Sequence, residues 1–262
     1  MRDQSLLKPD RLFVHSVRKC FQLLECMSKA QRPLSFTDLA HTSGLERSTV
    51  QRLVHTLCQL GYVRQNPQTR AYVLSPRLLQ FGHAVLQADG VAEAAEPFLE
   101  RLNQECKETV NLMELEGSEI VYVLRYPSTH PVSVDLHVGS RLPVYCTAAG
   151  RVFLAHMSAE ELDALLALPR PQVTEHTITE EAVLRERLAQ VHTQGYALND
   201  QEAFIGDISM AAPLFDRSQS VVGAINIAVP YPRWTVEDAR RELVPLLLET
   251  ARKITQQITR ST

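Results

Sequence analysis

Leu45-Glu46-Arg47-Ser48-Thr49-Val50-Gln51-Arg52-Leu53 is the stretch from which the fold of this chain is read. Continued to Leu60, it puts Val50, Leu53, Leu57 and Leu60 at helical spacing, so one side is apolar. The other side carries Arg47, Ser48, Thr49, Gln51, Arg52, His55 and Gln59. Long donors and short hydroxyls of this kind reach base edges and phosphates in a DNA groove. Upstream, Ser35 and Asp38 have the spacing of a capping box, Leu39 and Ala40 face inward, and Thr42-Ser43-Gly44 supplies a tight turn. Downstream, Gly61 stops the helix, and Tyr62-Val63-Arg64 and Arg70-Ala71-Tyr72-Val73-Leu74 flank the turn Asn66-Pro67-Gln68-Thr69. That hairpin is a wing with Arg64 and Arg70 on it, and the whole reads as a winged helix-turn-helix. The expected DNA-contacting set is Ser35, Thr37, Arg47, Ser48, Thr49, Gln51, Arg52, Arg64 and Arg70. The plainer alternative is an amphipathic helix with a solvated face beside a hairpin.

Charge sharpens the choice. Residues 1–90 hold 12 Lys and Arg against 6 Asp and Glu, whereas the remainder holds 15 against 24. A basic first third joined to an acidic remainder suits one domain that meets phosphates and another that does not. With 262 residues the chain can bury a full core in two modest domains. Its five cysteines (Cys20, Cys26, Cys58, Cys106 and Cys146) form no C-x-x-C pair, which predicts a reduced, cytoplasmic chain without a zinc site. No apolar run approaches a membrane span, and residues 1–10 are polar. No glycine-rich nucleotide fingerprint or P-loop is present, so no cofactor is expected.

Outward from the wing, the pattern predicts three segments: a winged helix-turn-helix over 1–75, a linker helix over 76–90, and an α+β domain over 91–262. Phe13 to Met27 is expected as a helix whose Val14, Val17, Phe21 and Leu24 form a floor for the helices that follow. Pro76 opens the linker, and its wide apolar face (Leu78, Leu79, Phe81, Val85, Leu86) predicts pairing with a second copy. Helices are expected from Ala94, with Pro97 near the start, from Thr147, from Ser158, from Thr177 and from Thr235. Strands are expected over 109–115, 120–124, 132–138, 208–214 and 221–229.

Two stretches could hold a small molecule. In the first, Val138 to Arg151, a loop containing Gly139 and Pro143 leads into a helix opened by Thr147-Ala148-Ala149-Gly150. Unpaired amides at such a start attract an anion, and small side chains let a carboxylate approach. The alternative is that these small residues only allow close packing. In the second, Tyr196 to Ser209, a polar loop enters a core strand, and Ser209 and Asn226 are polar residues inside apolar runs. A different reading makes Cys146, near a helix start, the nucleophile of a small-acid-processing enzyme; no ordered Cys/His/Asn pattern accompanies it.

The residues also resemble the IclR family of bacterial transcriptional regulators. The likeness rests on Ser43-Gly44-Leu45, Ser48 to Leu53, Leu60 to Val63, Val138 to Pro143, Thr147 to Arg151, Gly195 to Leu198 with Glu202 and Gly206, Ala211 to Asp216, and Ala224 to Ala228. The resemblance implies a GAF-like effector domain behind the winged helix, with homodimers that pair into homotetramers on operator DNA. It also implies a small carboxylate effector held at Ala148, Ala149, Asn199, Ser209, Asn226 and Ala228. The loop residues Arg141, Tyr145, Cys146 and Thr147 complete the expected effector set. Asn199 and Ala228 stand where the family often has an acidic residue and a serine. That implies a less polar pocket, and Leu142 to Thr147 is similar to branches that sense aromatic acids of catabolic pathways.

Overall fold

The computed structural model describes residues 12–130 and 136–261, and the chain divides into two compact units between Val85 and Leu86. In the first, α1 (His15–Ala30), α2 (Phe36–Ser43) and α3 (Arg47–Gln59) precede β1 (Val63–Gln65) and β2 (Tyr72–Leu74). Ser35 caps α2 reciprocally with Asp38, and Gly44, at φ +66°, makes the turn into α3. The strands pair antiparallel, Val63 opposite Leu74, and Asn66 Oδ1 accepts from the amides of Gln68 and Thr69 to build the wing tip. Leu34 bridges to Tyr72, a third strand contact the sequence pattern did not signal.

The core of this unit is Leu23, Met27, Leu34, Leu39, Val50, Val54, Leu57 and Val63. It corrects two expectations. On α1 the inward stripe is Leu23 and Met27, and Val14, Val17 and Phe21 are more than half exposed. On α3 Val54 is buried and Leu60 exposed. Both helices are apolar on more than one side, so spacing alone could not choose the face that packs.

A 3₁₀ turn (Pro76–Leu78) leads to α4 (Leu79–Ala88), whose Leu79, Phe81 and Val85 are exposed. In the second unit, Asp89 caps α5 (Gly90–Cys106), so the helix begins earlier than expected and Pro97 lies inside it. There follow β3 (Thr109–Glu116), β4 (Glu119–Tyr126), β5 (Arg141–Pro143), α6 (Ala148–Ala155), α7 (Ala159–Leu166) and α8 (Glu181–Gln194). β6 (Ala197–Asp200), β7 (Asp207–Phe215), β8 (Val221–Pro230) and α9 (Val236–Ser261) complete it.

The strands form one antiparallel sheet in the order β5-β4-β3-β8-β7-β6. Strand alternation sends Val110, Leu112, Ile208, Met210, Ala212, Ile225 and Ile227 into a core with α5 and α9. The opposite face sends Met113, Ala211 and Ala224 against α6 and α8.

The sequence pattern predicts loop at β5 and β6; both are short strands at the sheet's edges, too brief to show a period. Thr177 does not cap α8: Glu180 holds that position, and the Thr177 hydroxyl donates to Glu202 O at 2.7 Å. Of the strand expected over 132–138, residues 132–135 lie outside the described residues, and Leu136 to Val138 are not strand.

Candidate functional site

α3 presents Arg47, Ser48, Gln51, Arg52 and His55 to solvent, with Thr49 half-buried beside them. The Arg47 guanidinium stands over the Phe36 ring, 5.2 Å from its centroid. Arg64 and Arg70 are exposed on the wing, and Thr37 is exposed on α2. Ser35 is different. Its hydroxyl donates to Asp38 Oδ2 at 2.9 Å and accepts from Asp38 N at 3.1 Å, so it holds the helix start and is not free to read a base. Arg52 shares a cleft with His15, Ser16, Lys19 and Thr49. The sequence places α1 beneath the later helices but does not signal that His15, Ser16 and Lys19 stand beside Arg52.

The second unit contains a cavity of about 300 Å³ between the sheet and the start of α6. Thr147, Ala148 and Ala149 line it from above, and Thr109, Asn111, Ser209, Asn226 and Ala228 line it from the sheet. Thr147 caps α6: its hydroxyl accepts from Gly150 N at 3.2 Å and donates to Pro143 O at 3.0 Å. The amides of Ala148 and Ala149 make no hydrogen bond among the described residues. They are orphan donors at a helix start, open to a cavity. Gly150 serves packing instead, because a Cβ there would lie 2.2 Å from Val144 O.

A row of polar side chains crosses the cavity floor. Arg125 Nη1 donates to Asn111 Oδ1 at 3.1 Å, and Asn111 Nδ2 donates to Asn226 Oδ1 at 2.8 Å. The chain runs in one direction from a cation, so it orients both amides and leaves Asn226 Nδ2 as a donor with no partner among the described residues. Asn226 is 5% exposed.

Asp207 lines the same cavity, and burial pushes its carboxyl up to about 7, opposed by the Arg125 charge. Tyr122 also lines it, its phenol raised first by burial and then by Asp207. Ile120, Leu136, Leu142 and Phe204 supply apolar wall.

Four expected effector residues are not part of this lining. Arg141 is held on the sheet edge by Glu116 at 2.5 Å and Glu119 at 2.8 Å. Tyr145 donates its hydroxyl to Pro171 O at 2.5 Å and packs with Cys146, Leu166 and Leu184. Cys146 is 1% exposed, and burial holds its thiol up at about 11, far from a nucleophilic thiolate. Asn199 Nδ2 donates to Cys146 O at 2.5 Å while its Oδ1 accepts from Glu202 N at 3.2 Å, which ties β6 to the loop before α6.

Sequence reasoning missed Thr109, Asn111, Tyr122, Arg125 and Asp207. Asp207 and Asn111 had a signal, since each shares strand parity with a residue that faces α6. Arg125 had none. From Tyr122, simple alternation puts it on the other face, but the register shift between Leu112 and Met113 inserts one residue into β4 and turns Arg125 inward.

A buried ion pair ties α6 to the segment after β6. Arg151 donates to both carboxylate oxygens of Glu202, which also accepts from Ile178 N at 3.2 Å. Both charges are nearly excluded from solvent, so each depends on the other.

Residues 16–67 match the IclR helix-turn-helix domain, and residues 83–256 match the bacterial transcriptional regulator IclR C-terminal domain. The Pca regulon regulatory protein of Pseudomonas putida is 33% identical over 248 residues, covering 94% of this chain and 84% of that protein. The HTH-type transcriptional regulator KdgR of Escherichia coli (strain K12) is 32% identical, covering 94% and 93%. Among solved structures, a transcriptional regulator from Rhodococcus sp. RHA1 is similar with a TM-score of 0.84 and 35% identity, over 95% of this chain and all of that one.

Proposed function

The chain belongs to the IclR family of bacterial transcriptional regulators, and from that premise we propose that its effector is an aromatic carboxylic acid. A winged helix-turn-helix binds DNA and a C-terminal α+β domain binds ligand; the relatives are regulators, not enzymes. The observation that carries the acid reading is the convergence of three unpaired donors, the amides of Ala148 and Ala149 and Asn226 Nδ2, on one cavity. An anion satisfies all three. Apolar wall from Ile120, Leu142 and Phe204 favours a flat hydrophobic body over a two- or three-carbon acid. Similarity to a Pca regulon regulatory protein supports the same choice.

On DNA, Arg47, Ser48, Thr49, Gln51 and Arg52 enter the major groove, and Arg64 and Arg70 hold the backbone or minor groove. Thr37, exposed on α2, adds a further contact. The working form is a cytoplasmic homodimer, in which a second copy covers exposed apolar side chains such as Leu79, Phe81 and Val85. The segments 1–75, 76–90 and 91–262 then act as reader, coupler and sensor. Ligand acts by favouring one arrangement of two readers over another.

Two measurements test this. In thermal melts of the full chain, benzoate-type acids raise the melting temperature more than glyoxylate or pyruvate; stabilisation by the small acids alone overturns the aromatic reading. In gel retardation, Arg52→Ala weakens binding to every duplex and lowers the salt slope by about one. An unchanged slope removes Arg52 from phosphate contact.

A further inference from the structure

Asp207 opens β7 and shares its face with Ser209 and Ala211. Ala211 belongs to the same apolar cluster as Ala148 and Ala149, and Asp207 lies four residues before it, about 13 Å along the strand. Asp207, Ala148, Ala149 and Asn226 all line one cavity of about 300 Å³, and a benzene ring with polar groups on opposite carbons presents one group in each direction. The two ends of the cavity differ in chemistry. At one, Ala148 N, Ala149 N and Asn226 Nδ2 are donors only. At the other, the Asp207 carboxyl makes no hydrogen bond among the described residues, and the charge it senses is Arg125.

We propose that Asp207 is a specificity-determining residue that accepts a hydrogen bond from a hydroxyl at the far end of the effector, so that the cavity takes a hydroxylated aromatic acid in preference to the bare acid. The inference rests on the reading of the opposite end as an acid site. A ligand without the hydroxyl strips water from a half-buried carboxyl and gives nothing back, the arrangement that discriminates most strongly between a ligand and its deoxy analogue. A second carboxylate at that end meets like charge above the carboxyl's titration range and is rejected.

The test is calorimetric titration of the full chain at pH 8 with benzoate, 4-hydroxybenzoate and terephthalate. For the wild-type chain, 4-hydroxybenzoate binds about tenfold tighter than benzoate, and terephthalate binds weakest. Asp207→Leu brings 4-hydroxybenzoate and benzoate within about threefold of each other, and Asp207→Asn, which keeps an uncharged acceptor, falls between. Thermal melts of both variants confirm that they are folded. Equal affinity of the wild type for benzoate and 4-hydroxybenzoate, a preference for terephthalate, or a ratio unchanged in both variants overturns the proposal while leaving the acid site standing. No binding of any of the three overturns the acid reading as well.

Discussion

The two units build their binding surfaces in opposite ways. The first displays its polar groups: Arg47, Gln51, Arg52, Arg64 and Arg70 are exposed, mostly uncommitted side chains on a small apolar core. The second hides its polar groups and ties them together, as in the row Arg125, Asn111 and Asn226 and the pair Arg151 and Glu202. A surface that meets a duplex gains from long, solvated cations whose partners arrive with the DNA. A cavity that selects one small molecule needs donors fixed before the ligand enters, because ordering them on binding subtracts from affinity. Substitutions in the fixed internal pairs therefore cost stability in the second unit, and substitutions of the exposed cations cost DNA affinity in the first.

The sharpest way to break that contrast is Glu202→Ala. It leaves the Arg151 guanidinium buried without its anion, and the expected loss is about 3–5 kcal/mol in denaturant unfolding. A loss below about 1 kcal/mol means water reaches Arg151 and the second unit is not built on fixed internal pairs. Next in size is the ligand response. Asn226→Leu removes an outgoing donor and is expected to weaken acid binding by about 2 kcal/mol, some thirtyfold; titration at wild-type affinity takes Asn226 out of the site.

Asp207 sharpens the comparison through pH. Its folded carboxyl titrates near 7, above the ordinary range, so its contribution to stability is complete below about pH 4 and is lost as pH rises through 7. Burial and the neighbouring Asp89 also raise Glu114 to about 7, so the wild-type slope contains both groups. The difference between wild type and Asp207→Asn isolates one. Relative to the variant, wild type is expected to lose roughly 2 kcal/mol between pH 5 and 8. A flat difference means Asp207 is as solvated as any exposed carboxylate.

The smallest effect belongs to the first unit. Ser35→Ala removes a cap from α2 and costs about 1 kcal/mol of its stability. A wild-type melt combined with weakened DNA binding would return Ser35 to the set of DNA contacts.

Legibility followed the same division. Local features of the first unit were readable because they are local: a capping box, a turn glycine and a proline-containing hairpin lie within forty residues. Which stripe of α1 faces inward was not, since Leu23 and Met27 compete with Val17 and Phe21 on the same helix. In the second unit, Ala148, Ala149, Ser209, Asn226 and Ala228 were located in advance and do line one cavity. Asn199, next to them by register, spends both amide atoms on the backbone. Arg125 was hidden by the extra residue in β4.

From the order of residues alone came the division into a basic winged helix-turn-helix and an acidic α+β remainder, the helix with long donors along one side, and the small residues that follow the Thr147 cap. All of these follow from charge, period and capping, which act over a few turns of chain. Tertiary structure decided which polar side chains share a cavity and which are spent elsewhere. That choice depends on strand register and on contacts between residues more than a hundred apart, such as Asn111 with Asn226, and a single inserted residue in one strand reverses it.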